Sequence, residues 1–159
     1  MERRDKINYY LDMAEVAAER STCLKRHWGA IIVKNNCIVS TAYNGAPRNM
    51  VDCRQRGNCN RENSPRGTDY VNCPAVHAEA NAIIHAGRER TLGSTLYLVG
   101  IQANDGTYTE NPNSCTSCRR LIINAGIEKV YVRLNKTEYK VIDVKNEWAN
   151  DLNNIIGGY

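Results

Sequence analysis

The chain has 159 residues, 42% hydrophobic and 24% charged, a balance that suits one globular domain over 1–159 whose core needs no disulfide staples. No apolar run approaches the length of a membrane span, and the opening MERRDKINYY lacks the apolar stretch of a secretory signal, which argues against a secreted or membrane-bound protein. A net charge of +4 fits an anionic small-molecule partner and lacks the dense basic stripe of a duplex binder, so nucleic acid is an unexpected partner.

Residues 3–20 place Ile7, Leu11, Ala14 and Ala18 at helical spacing with charges opposite, which predicts an amphipathic first helix ending near Ser21 and Thr22. GAIIVK (29–34) and CIVSTAY (37–43) read as strands, joined through Asn35 and Asn36 as a tight hairpin. From Asn44 to Pro74 the pattern dissolves into Gly, Pro, Asn and Arg, and a loop this long is functional or tied down by something other than a core. A helix follows over His77–Ala86, stopped by Gly87, and STLYLVGI (94–101) is a third strand. After a polar loop (102–113), a helix begins near Cys115 and is capped at Gly126. KVYVRL (129–134) is a fourth strand, Tyr139–Ile142 a weakly signalled fifth, and Val144–Asn153 a last helix. This order predicts a three-layer α/β fold, helices on both sides of a mixed sheet of about five strands.

The seven cysteines are odd in number, and without a signal for export they suit a reduced, cytoplasmic setting, where clustered Cys with His nearby indicates metal binding. Cys115 and Cys118 are three apart at a helix start, so both thiolates face one side, and the helix dipole favours the ionised forms. His77 and Glu79 would diverge in mid-helix but can lean toward a common point at the first turn. One helix start offering a His and another offering two Cys gives a Cys₂His zinc site with a fourth position open to water, the arrangement of catalytic zinc. Glu79 is then free to act as the proton shuttle. Each residue taken alone has an ordinary structural use, a first-turn acid or a buried thiol. Together, H-x-E and P-x-x-C-x-x-C, each opening a helix after a loop, point to one site.

That pair resembles the H-x-E…P-C-x-x-C signature of zinc deaminases that act on nucleobases. The resemblance extends to the deoxycytidylate (dCMP) deaminase family through STCLKRHWGAIIV (21–33), TAYNGAP (41–47), CPAVHAEANAII (73–84) and RRLIINAGIEKVYV (119–132). It implies a cytidine-deaminase-like fold and hydrolysis of dCMP to dUMP and ammonia, by a zinc-activated water attacking C4 of the base. It also implies that His77, Cys115 and Cys118 hold the zinc and that Glu79 carries protons to N3 and to the leaving ammonia. Substrate would be held by the backbone N–H of Ala78 (base carbonyl), Asn44 (sugar) and Arg26 (5′-phosphate), with Arg119 or Arg120 as further phosphate candidates. By the same resemblance a homo-oligomer is expected, the family including hexamers, some of them regulated by deoxynucleoside triphosphates. Some phage members carry a second, structural zinc, for which Cys23, Cys53, Cys59 and Cys73 are the candidates; Cys37, amid apolar strand residues, reads as core.

Asn113 and Ser114 stand between Pro112 and Cys115, where the family usually has Pro directly before the first Cys. This departure leaves other substrates open: a tRNA or DNA base, a free nucleoside or a modified nucleotide. A zinc-stabilised binding module without catalysis is the remaining alternative, against which stands the non-ligand carboxylate Glu79.

Overall fold

The computed structural model of the chain describes all 159 residues. Helix α1 (Lys6–Ala18) starts at Asp5, whose carboxylate accepts from the Asn8 N–H. Strands β1 (Arg26–Lys34) and β2 (Cys37–Tyr43) form the expected hairpin, with Asn35 and Asn36 at φ 51° and 61°, the left-handed pair of a type I′ turn. Then come the short helix α2 (Cys53–Arg56), a 3₁₀ turn at Tyr70–Asn72, helix α3 (Ala78–Ala86), the short helix α4 (Arg88–Thr91) and β3 (Thr95–Gln102). Helix α5 (Thr116–Asn124), β4 (Lys129–Arg133) and β5 (Tyr139–Asp143) complete the regular elements.

The sheet order is β2-β1-β3-β4-β5. Only β3 and β4 run parallel, so the sheet is mixed, as expected for a crossover through α5. Alternation along the central strands divides the core in two. Ala30, Ile32, Leu96, Leu98, Val130 and Val132 face α3 and α5, while Ile31, Val33, Tyr97 and Val99 face α1. Gly29 allows α1 to lie directly on β1, since a Cβ there would stand 1.9 Å from the Ala14 carbonyl oxygen.

On the α1 side the fold gathers a charge cluster around one buried arginine. The guanidinium of Arg133, at the end of β4, has no exposed surface and pairs with Asp12 at 2.8 Å and Glu15 at 2.7 Å. It also donates to the side-chain oxygen of Asn8, while Tyr108 and Lys136 donate to Glu15. All four ion pairs of the chain belong to this cluster, which rivets α1 to β4.

Two expectations need correction. The final segment is not one helix: Val144–Trp148 makes a single wide turn and Leu152–Asn154 a 3₁₀ turn. Asp143 and Asp151 bond the N–H groups of Asn146 and Asn153, local bonds that compete with a continuous helix, while Trp148 anchors the segment in the core. Cys37 is exposed, because it is the first residue of β2 and follows the turn directly. No helix is long and apolar enough to cross a membrane.

Candidate metal centre and substrate cavity

Helices α3 and α5 lie side by side on one face of the sheet, each following a strand and a loop. The residues that start them are ligand candidates. His77 is the N-cap of α3 and Cys115 the N-cap of α5, both extended at ψ 152° and 159°, and neither side chain makes a capping bond. Both are therefore free to turn away from their helices toward each other. Cys118, one turn into α5, faces the same point.

His77 Nδ1 lies 3.4 Å from Cys115 Sγ and 3.3 Å from Cys118 Sγ, and the three donor atoms gather within 4.8 Å. A tetrahedral zinc with bonds of about 2.0 Å to nitrogen and 2.3 Å to sulfur separates such donors by roughly 3.6 Å. The donor set and spacing fit that ion. Three protein donors leave a fourth direction for water or substrate.

Glu79 is buried, at 4% exposure, on the first turn of α3 beside this set and is not among the donors. Burial raises its pKa, with the Cys115 charge adding to the effect against the opposing pull of His77. Cys115 is held down to about 4, chiefly by its hydrogen bond from Cys118 and then by His77, against burial. Cys118 is pushed strongly up by that same bond to Cys115 and by burial. For His77, burial works downward, but the Cys115 bond and the Glu79 charge leave it raised. Two thiolates and a carboxylate cannot all ionise here unless a cation joins them.

The centre opens into a cavity of about 400 Å³. Ala78, buried, lines it, and its backbone N–H lies in the first helical turn, where no intrahelical acceptor exists. Asn44 lines it too, but much of its amide serves the protein. Its Oδ1 accepts from Ser21 Oγ at 2.6 Å and the Trp28 N–H at 2.8 Å, and its Nδ2 donates to the Arg26 carbonyl at 3.0 Å. One N–H of that amide is left for the cavity. Arg26 Nε is buried at the cavity wall without a partner.

The other phosphate candidates point elsewhere. Arg119 donates to the carbonyls of Ser114 and Asn154 and stacks over Trp148, and Arg120 donates to the Ile155 carbonyl. Instead, Arg61 and Arg66 of the long loop join Lys25 and Arg26 in lining the cavity. None of these four cations is in an ion pair. Tyr70, whose ring meets His77 edge-on at 5.2 Å, and Tyr159 complete the wall, and neither has a sequence signal that separates it from an ordinary surface tyrosine.

Cys23, Cys53, Cys59 and Cys73 do not gather into a second ligand set. Cys23, Cys59 and Cys73 line the cavity, while Cys53 is buried at the start of α2, where its sulfur accepts from Arg56. The long loop is held by carbonyl bonds and stacking: Lys25 donates to Arg61 and Glu62, and Arg61 donates to the Thr68 carbonyl and lies over the Tyr70 ring at 4.3 Å.

Residues 4–134 match the model of the cytidine and deoxycytidylate deaminase zinc-binding region. The chain belongs to the cytidine and deoxycytidylate deaminase family. It is 39% identical over 137 residues to the deoxycytidylate deaminase of Mycobacterium phage D29, a match covering 82% of this chain and 95% of that protein. To the deoxycytidylate deaminase of Schizosaccharomyces pombe it is 35% identical over 125 residues, covering 77% of this chain but 35% of the yeast protein. Among solved structures, the dCMP deaminase of cyanophage S-TIM5 in complex with dCMP and dUMP superposes with a TM-score of 0.58 at 27% identity, covering 83% of this chain and 84% of that one.

Proposed function

We propose that this single domain is a zinc-dependent dCMP deaminase, hydrolysing the exocyclic amine of a cytosine nucleotide to give dUMP and ammonia. The observation that carries the reading is the placement of Glu79: a buried carboxyl beside a three-donor metal set, not spent as a ligand, at the floor of a cavity walled by unpaired cations. A purely structural zinc site has no use for such a group.

His77, Cys115 and Cys118 would hold the ion, which when bound supplies a Lewis acid that lowers the pKa of water at the open position. Glu79 accepts a proton from the attacking water and passes it to N3 of the base, then accepts the second proton from the new C4 hydroxyl and delivers it to the departing amine, which leaves as ammonia. Burial of the carboxyl excludes bulk water from that exchange. The Ala78 N–H takes the base carbonyl, and the remaining N–H of Asn44 reaches the sugar. Arg26, whose Nε lacks a protein partner, takes a 5′-phosphate oxygen as a charge-assisted bond. Similarity to phage deoxycytidylate deaminases, and to a structure holding dCMP and dUMP, supports this choice of substrate.

The test is ammonia release from dCMP, CMP, deoxycytidine, cytosine and adenosine-containing tRNA, with the parent and Glu79→Gln compared. Turnover concentrated on dCMP and lost in Glu79→Gln is expected. A zinc-loaded parent inert on every substrate would sink the reading, and equal turnover of deoxycytidine and dCMP would remove the phosphate role of Arg26.

A further inference from the structure

Three segments distant in sequence meet at the rim of the cavity around one side chain. The Tyr159 hydroxyl donates to the Asn113 carbonyl at 2.9 Å and accepts from the Asn113 N–H at 3.3 Å and from Arg66 Nη2 at 2.7 Å. The Arg66 guanidinium lies 4.4 Å above the Tyr159 ring and also donates to the carbonyls of Glu110 and Asn111, at 2.8 and 3.0 Å. Gly158, next to Tyr159, donates to Thr116 Oγ1 at 3.0 Å and accepts from the Thr116 N–H at 3.3 Å. Thr116 is the first residue of α5, between the two thiol donors.

The fit between these segments is close. A Cβ on Gly158 would stand 2.5 Å from the Gly67 carbonyl oxygen, and one on Gly67 would stand 2.6 Å from the Tyr159 Cβ. Both glycines also have positive φ, 117° and 82°, where other residues are strained. Yet Tyr159 remains 40% exposed while lining the cavity, unlike a residue that only fills a core.

We propose that Tyr159 is a substrate-positioning residue: with Gly158 it clasps the Arg66 loop to the segment entering the ligand helix, and fixes Arg66 as a wall of the cavity. This rests on the deaminase reading for its kinetic consequence, though not for its structural one. Arg66 is held by carbonyls and a phenol and faces no carboxylate, so its charge stays available to an anionic nucleotide. It is the inserted Asn113, one of the two residues that set this chain apart from the family pattern, that receives the tyrosine.

The predicted kinetic signature is in KM. Tyr159→Ala should raise KM for dCMP about tenfold with kcat nearly unchanged, the pattern of lost binding common to ground and transition states. Tyr159→Phe, which keeps the ring over Arg66 but loses the hydroxyl, should fall between parent and Ala. Gly158→Ala, which alters no side chain on the cavity wall, should match Tyr159→Ala. In the substrate-free protein, hydrogen exchange at 65–68 and 110–114 should quicken in both Ala variants, with zinc content and far-ultraviolet dichroism unchanged. An unaltered KM in both Ala variants, a loss confined to kcat, or unaltered exchange in those segments would overturn the proposal. If the parent fails to act on dCMP, the substrate reading fails on its own, and the exchange result still decides the clasp.

Discussion

The two faces of the sheet bury ionisable groups in opposite ways. On the α1 face, Arg133 is wholly buried, but Asp12 and Glu15 balance it and Asn8 accepts from it. On the α3 and α5 face, two thiols and a carboxyl converge with a single histidine and no arginine or lysine bonded to any of them. The first cluster is electrically complete within the protein and serves to fix a helix. The second is complete only with a cation from outside, and it opens onto a cavity lined by four cations that form no ion pair. Self-sufficient burial marks scaffold, and deficient burial marks chemistry.

The two faces should differ most in their response to substitution at Glu79. Glu79→Gln should cut kcat by roughly 10²–10⁴, the range for removal of a general acid–base, while zinc per chain stays at the parental level. Equal turnover by the two proteins would place the proton shuttle elsewhere. Across the sheet, Arg133→Met should cost about 1–3 kcal/mol of stability, because Asp12 and Glu15 each lose a charge-assisted bond while keeping Arg4 and Lys136 as partners. Denaturant unfolding measures that loss, and kcat determined below the melting transition should hardly move. A kcat collapse in this variant would mean that the faces are not separable. Gly29→Ala should destabilise by about 1–3 kcal/mol, since the new methyl group meets the α1 backbone and the helix must lift off β1.

The smallest effect is in acid. Asp12 and Glu15 are both held below their ordinary values; burial opposes the shift, but bonds from Arg4 and Arg133 to Asp12, and from Lys136, Tyr108 and Arg133 to Glu15, outweigh it. A depressed folded pKa contributes stability that is full above the unfolded-chain pKa, about 4, and is lost as pH falls through the folded value. The melting temperature of the parent should therefore drop more between pH 6 and 3 than that of Arg133→Met. Parallel drops would show that the cluster contributes no pH-linked stability.

How much of this was legible in the sequence follows the range of each signal. The strands and the two ligand helices announce themselves locally, through alternation in GAIIVK and STLYLVGI and through His77 and Cys115 at helix starts, and the structure places them within a residue or two, except that β1 begins at Arg26, three residues before the GAIIVK run. The placement of ligands at N-cap positions is a refinement that spacing alone does not reveal. The segment 144–153 misleads because Asp143 and Asp151 bond their own backbone, a local competition that periodicity ignores. The cavity wall is the least legible part. Arg61, Arg66 and Tyr159 sit in stretches without periodicity, and only long-range contacts bring them to the site. Arg119 and Arg120 show the converse: near the ligands in sequence, they are spent on carbonyls of the segment 154–155 and on Ser114.

The most direct test of the contrast between the faces is the metal itself, measured as zinc per chain by atomic absorption together with thermal melting. The account predicts one zinc per chain in the parent, a lower melting temperature after chelation that zinc restores, and almost no zinc in Cys118→Ala. A folded parent that turns over dCMP without zinc, or a Cys118→Ala variant that holds as much zinc as the parent, would contradict it.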